Sequence, residues 1–416
     1  MGWFPFPRRD PSPSPVPTDA SATVSKDAEG SGRVPADGHA GGDEAAIPPA
    51  DRRDYSVADG LNTFAWDLFG HLRRKRGNIF FSPFSLHTAL GMAWAGSSGE
   101  TAAEFAKVLH ALADEDAHHA QAAALASRHR GSREYVLAVA NRLFARKDLT
   151  FHARFLTTCA DVYDSPLEQV VFPEPGRTRI NLWVAEQTRG CILNLLPDVP
   201  RDTQVVLVNA VYFKGAWKEP FKPEATRDGK FHLDSQRDVT VAFMNRTDHM
   251  LMGETQDAWM VELPYKGDRI AMDLIVPKVL HGLAGLAMDR FILPAAFSKL
   301  REKRVNLSLP RFSLRWGLEL VSALQSLGLT RAFGRSDFTR MSAEPVVLSR
   351  VFHQAFVEVN EQGTVAAAAS AVLGRRSIRV PEIRINVDHP FLFVIRDLET
   401  GAILFVGRVE DPSSGM

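Results

Sequence analysis

Between Ser56 and Lys75, Leu61, Phe64, Ala65, Leu68, Phe69 and Leu72 recur at three- and four-residue spacing. That stripe predicts an amphipathic helix ending near Gly77. Its last turn carries Arg73, Arg74, Lys75 and Arg76, which read either as cations complementing a helix C-terminus or as a polyanion site. Helical patterning continues through Leu86–Trp94 and Glu100–His110. From Arg177 to Gly190 it returns: Ile180, Trp183, Val184 and Gln187 share one face and Gly190 is a natural stop. After Gln204 the period becomes strand-like. Val205–Phe213, Trp259–Pro264, Ala271–Val276 and Val305–Leu309 are short β-rich runs bounded by Gly, Pro or Lys-Gly. A helix over about Gly317–Leu327 precedes Val351–Val359, Phe391–Ile395 and Ala402–Val406, the last two joined by the hairpin turn Arg396–Gly401. Helices come first and strands later, without regular βαβ alternation or repeats. This predicts an α+β fold with large antiparallel sheets.

The stretch before Asp51 lacks any such pattern. It holds nine of the 25 prolines among Ser, Ala, Gly, Asp and Thr. It has too little apolar area to offset the entropy of ordering, so residues 1–53 are read as a disordered extension and 54–416 as one folded domain. Lys and Arg number 49, as do Asp and Glu, so the formal net charge is zero. A nucleic-acid or anionic-membrane partner usually requires a basic excess, and neither is expected. No apolar run approaches the roughly 18 residues of a membrane span. The opening Met1–Asp10 lacks the basic flank and apolar stretch of an export signal, so the cytoplasm is the default expectation. An extracellular site would require export without a leader or a different start. Cys159 and Cys191 are too few for a disulfide scaffold or a thiolate zinc site, and burial as small apolar side chains is expected.

Enzyme signatures are scarce. Gly96-Ser-Ser-Gly99 has the wrong spacing for a nucleophile elbow, and no phosphate-cradling loop or His-Glu-x-x-His helix occurs. Asp114, Glu115, Asp116, His118 and His119 crowd together and read either as a weak metal site or as a solvated helix end. His353 lies among apolar residues, as a catalytic base or a hydrogen-bonded core histidine would. No cofactor is implied, and a binding or mechanical role is expected rather than catalysis.

One segment stands out. Glu358–Thr364 leads into Val365–Leu373, an alanine-rich run, and then into Gly374-Arg-Arg-Ser-Ile-Arg-Val-Pro381. Propensity favours a helix over Val365–Leu373, yet there is no amphipathic stripe and strand-like runs flank it. An exposed functional loop is the other reading.

Several blocks in order now resemble the serpins, a family of serine protease inhibitors, over Tyr55 to Pro412. They are Asn78–Leu86 continuing to Gly99-Glu-Thr101, Val208–Trp217 with Pro220-Phe221, and Leu309–Phe312. Asp388–Phe393, Leu404–Arg408 and Glu361–Ala369 complete the set. The resemblance implies about nine helices, three β-sheets with a large central sheet, and an exposed reactive-centre loop over about 361–381. It implies a monomer that traps a target serine protease as a suicide substrate. The protease attacks the loop, and the cut loop inserts into the main sheet as a new strand. A non-inhibitory chaperone or carrier is the alternative within the family.

Insertion requires alternate side chains, Thr364, Ala366, Ala368, Ser370, Val372 and Gly374, to enter the buried face of the sheet. All are small or β-branched and uncharged, whereas an ionised group there would be buried unpaired. Val365 stands where inhibitory members usually carry Glu, a departure on the outward face. The resemblance assigns Glu361, Gly363, Thr364, Ala366, Ala367, Ala368 and Ala369 to a hinge. It likewise assigns Ser82, Ser85, Asn209 and His353 to a polar cluster gating the sheet, and Trp217 to the point where insertion begins. The commonest family spacing, counted from Gly363, would cut Ser377–Ile378. Chemistry favours Arg376–Ser377 and a trypsin-like target that reads a single Arg, with Arg375–Arg376 as a third choice.

Overall fold

The computed structural model describes residues 56–286, 297–364 and 382–415. The extension at 1–53 and the loop residues Ala366–Ala369, Arg376 and Ser377 lie outside the described residues.

Helix α1, Val57–Leu72, starts on a capping box. The Ser56 hydroxyl accepts from the Asp59 amide, and the Asp59 carboxylate accepts from the Ser56 amide at 2.9 Å. Its C-terminal end meets a buried guanidinium: Arg408 donates to the carbonyls of Arg73 and Gly77, each at 3.0 Å, and to that of Lys75. Arg73 itself reaches the Ala284 carbonyl at 2.9 Å, while Arg74, Lys75 and Arg76 face solvent. Strand β1, Ile79–Phe81, leads into α2, Pro83–Ala95, which Ser82 caps. Nearly every residue of α2 is buried, so its sequence shows no polar stripe. Each large apolar side chain it buries contributes about 2 kcal/mol.

Helices α3, Gly99–Val108, and α4, Glu115–Ser127, pack beside α2. Strand β2, Tyr135–Arg146, the short α5, Ala153–Thr157, and β3, Glu168–Val170, come next. Helix α6, Gly176–Gln187, precedes β4, Val205–Ala216. Five strands follow: β5, Arg227–His232; β6, Asp238–Glu254; β7, Ala258–Pro264; β8, Ile270–Pro277; and β9, Arg301–Pro310. Strand β10, Phe312–Glu319, continues through Gly317, where the sequence pattern predicted a helix. Pairing of Gly317 with Gln354 overrides that local preference, and helix α7 spans only Val321–Leu327. Strands β11, Leu348–Asn360, and β12, Gly363–Thr364, come before residue 365, and β13, Ile383–Asn386, β14, Phe391–Asp397, and β15, Ile403–Val409, come after residue 381.

The central sheet runs β10-β11-β12-β4-β2-β3, and β11 also pairs directly with β4 in parallel. The other strands form one continuous nine-stranded sheet. Of the three sheets expected, two are joined here by the long strand β6, which pairs β9 along Phe243–Met252 and β7 at Met252–Glu254. Cys159 is buried and Cys191 half-buried, both as free thiols.

Candidate functional site

The run Val205–Phe213 is apolar throughout because β4 is covered on both faces. Val206, Val208 and Ala210 pack against Ile180, Trp183 and Val184 of α6. Val205, Leu207, Val211 and Phe213 point the other way, into the main core beside α2. Asn209 is the polar residue in this second set and is fully buried. Strand β11 follows the same parity, with Phe352 toward α6 and Val351, Ala355, Val357 and Val359 toward the main core.

In the parallel β4–β11 ladder, Asn209 lies directly across from His353. The His353 Nδ1–H donates to the Asn209 carbonyl oxygen, and His353 Nε2 accepts from the Ser82 amide at 3.3 Å. The Asn209 amide donates to Ser85 Oγ and to Asn141 Oδ1. Ser82 Oγ donates to the Leu404 carbonyl at 2.7 Å and accepts from the Ser85 amide at 3.1 Å. The four residues assigned from the sequence therefore meet at the middle of the ladder. Two of them, Ser85 and Asn209, also bond a residue not singled out from the sequence: Asn141, on β2, accepts from both side chains and donates to the Ser85 carbonyl at 3.2 Å. Burial lowers His353 from 6.5 to about 3, so the ring is neutral. A second ring proton would oppose the Ser82 N–H, which fixes the same state by geometry. The Ser82 hydroxyl is turned to the Leu404 carbonyl, and the bonds of His353 tie β11 to β4 and to the start of α2.

Above Phe356 and Tyr212 the ladder parts and β12 enters the gap, antiparallel to both neighbours. Gly363 pairs with Asn360 and Ala216, and Thr364 with Val359 and Gly215. At Gly363, φ is 143°, and a Cβ there would lie 2.1 Å from the Gly215 carbonyl oxygen, so only glycine fits. Thr364 is fully buried on the main-core face, its hydroxyl 2.7 Å from that of Tyr265. Burial pushes the Tyr265 phenol up, so it stays neutral. Trp217 stacks on Tyr265 at 4.6 Å, and its indole N–H donates to the Asn360 carbonyl at 3.0 Å. Its own amide donates to the Gln362 carbonyl at 2.9 Å.

Glu361, at the turn before β12, is 2% exposed. Arg311 Nε donates to its carboxylate at 2.7 Å, and Thr226 Oγ1 does so at 2.5 Å. Burial alone would raise this carboxyl; the bonds from Arg311 and Thr226 outweigh it and hold the group below the usual glutamate range. Thr226, Tyr265 and Arg311 were not singled out from the sequence. Arg311 lies inside the block Leu309–Phe312, whose buried-strand flanks were the available signal.

The expected acidic and histidine cluster separates. Asp114 caps α4, Glu115 and Asp116 occupy its first turn, and His118 and His119 turn inward. Among the described residues no group of three or more His, Cys, Asp or Glu is arranged to hold a metal ion. Among them, too, no helix is long and apolar enough to cross a membrane.

Comparison with known proteins fits this geometry. The family model described as serpin (serine protease inhibitor) matches residues 59–412. The leukocyte elastase inhibitor of Equus caballus is 37% identical over 370 residues, covering 84% of this chain and 97% of that protein. The Homo sapiens protein of the same name has the same identity and coverage. Among solved structures, a serpin of Tenebrio molitor superposes with a TM-score of 0.78 at 30% identity, over 87% of this chain and all of that one. Human thyroxine-binding globulin, with its ligand bound, gives 0.81 at 26% identity over 86% and 99%.

Proposed function

The chain belongs to the serpin family, and from that premise we propose that it inhibits a serine endopeptidase as a suicide substrate. The target is trypsin-like and attacks the Arg376–Ser377 bond. Its serine oxygen adds to the Arg376 carbonyl carbon, the C–N bond breaks, and Ser377 leaves with a protonated amine. The ester left on Arg376 would normally be hydrolysed. Here the freed strand from Thr364 to Gly374 enters the β4–β11 gap faster than water can attack, and the tethered peptidase is drawn away and deformed.

The observation that carries this reading is the seat of Thr364. A strand between β11 and β4 has already begun, antiparallel to both, with its side chain in the core. Continuing it exchanges one parallel ladder for two antiparallel ones, a gain in backbone hydrogen bonds. The following inward positions, Ala366, Ala368, Ser370, Val372 and Gly374, bring no charge into the sheet. Ser82, Ser85, Asn209, His353 and Asn141 hold the ladder closed until then.

Mixing the purified chain with trypsin tests the proposal. An SDS-resistant complex is expected, with a small C-terminal fragment beginning at Ser377. Clean cleavage without a complex would favour a carrier or chaperone role, a reading kept open by the likeness to thyroxine-binding globulin.

A further inference from the structure

Helix α4 is anchored by few apolar groups. Of its 13 residues, the buried ones are His118, His119, Ala122 and Leu125, so half of that buried set is imidazole. Facing them, α2 supplies His87 and Trp94, both buried. The His118 ring lies 5.3 Å from that of His87 and 5.0 Å from Trp94, and His119 lies 4.8 Å from Trp94. The seam between α2 and α4 is thus built on tilted and edge-to-face aromatic rings.

The bond from the Leu112 amide requires the His118 ring to be neutral. His118 Nδ1 accepts from the Leu112 amide at 3.3 Å, so a proton there would set donor against donor. His87 Nε2–H donates to the Leu109 carbonyl at 3.0 Å. Among the described residues neither ring has an ion-pair partner. The charged groups nearby are engaged elsewhere. Glu115 lies 3.7 Å from His119 Nε2 and also binds Arg340, and His110 binds Asp67 at 2.7 Å. Asp116 adds a weaker attraction for a charged His119, and Arg340 opposes it. Tyr163, 2.5 Å from His119 Nδ1, stays neutral, as does Cys159, which burial pushes up to about 12. Past the end of α4, His129 packs edge-on to Phe84, bonds the Tyr135 hydroxyl at 2.9 Å and lies 3.5 Å from Asp397, with Arg128 and Arg269 close by.

We propose that α4 is an acid-released helix: protonation of His87 and His118 expels it from its seat on α2. Ala126 of α4 lines a cavity of about 100 Å³ together with Phe84, Thr88, His129, Leu137 and Asn141, and release widens it. Asn141 also belongs to the cluster that bridges β4 and β11, so the device acts on the ladder that a new strand would open. The release step itself does not depend on the inhibitory reading.

Burial lowers His87 from 6.5 to about 4 and His118 from 6.5 to about 3. Both values are depressed in the docked helix, so docking is at full strength above pH 6.5 and weakens as the pH falls toward the docked values. At pH 5 each histidine favours the released state about thirtyfold, and the pair about a thousandfold.

Hydrogen exchange of the full chain at pH 7.5 and 5.0, corrected for intrinsic rates, tests this. Amides of 115–127 should lose protection by a factor of hundreds or more and become faster than those of 403–409, the mark of a local opening. Between pH 6 and 5 the logarithm of α4 protection should fall with a slope near two, a wild-type readout that needs no variant. His118→Phe, which keeps the aromatic contact without the proton site, should reduce the fall about thirtyfold. Unchanged protection of α4 at pH 5, α4 amides no faster than those of 403–409, or an undiminished fall in His118→Phe would overturn the proposal.

Discussion

Thr364→Arg places a cation where the proposed strand begins. Thr364 is fully buried between Val359 and Gly215, with Tyr265 beneath it, and Trp217 is stacked on Tyr265. The nearby carboxylate of Glu361 is already bonded by Arg311 and Thr226. An arginine would therefore be buried unpaired or would pull β12 out of the gap. An uncompensated buried charge costs about 3–5 kcal/mol, and the lost hydroxyl contact with Tyr265 about 1 kcal/mol more. If half of about 4 kcal/mol falls on the insertion barrier, insertion slows about thirtyfold. Hydrolysis of the acyl-enzyme then wins the competition. On a denaturing gel with trypsin, Thr364→Arg should give cleaved chain and a few per cent of the wild-type complex. Thr364→Val, which buries no charge, should still form most of the complex. A Thr364→Arg chain that traps trypsin as efficiently as wild type would refute the insertion path.

Arg376→Ala should abolish complex formation with trypsin, and mass spectrometry of the wild-type digest should find a fragment starting at Ser377; a fragment starting at Ile378 would move the reactive bond. Arg311→Ala leaves the Glu361 carboxylate buried with Thr226 alone. Because the Arg311 side chain is 42% exposed, solvent screening reduces the cost to about 1–2 kcal/mol, a fall in Tm of roughly 2–4 °C; an unchanged Tm would contradict the role given to that pair. His353 is held at about 3 by burial against 6.5 when exposed, so the unfolded chain binds its proton first. Its contribution is complete above pH 6.5 and is lost as the pH falls toward 3, amounting to about 3 kcal/mol by pH 4.5. Urea unfolding at pH 7.5 and 4.5 should show that loss, reduced in His353→Asn, and equal losses in the two chains would count against it.

Patterns set by burial on both faces were legible in the sequence. The continuous apolar run Val205–Phe213 reads as a covered strand, and the structure extends it to Ala216. The stripe of α1 and its stop were visible because one face meets solvent. Partners brought together by the fold were not. Asn141 lies on a strand whose alternation is blurred by Arg142, whose charge is matched only in three dimensions by Glu168. His118 and His119 looked like part of a solvated helix end, since nothing local reveals that α2 presents Trp94 and His87 to them. Strand β6 was hidden by Asn245, Arg246, Asp248 and His249, polar residues over which it spans two sheet regions. At Gly317–Glu319 the helical reading failed because pairing with Phe352–Gln354 outweighs local propensity.

The central claim is that a cut loop becomes a strand of the main sheet. Hydrogen exchange on the trypsin-cleaved chain measures this at the backbone of residues 365–374. Insertion predicts that these amides become as slow as those of β4 and β11, whose own protection rises. Amides that still exchange at the rate of an exposed peptide after cleavage would contradict it.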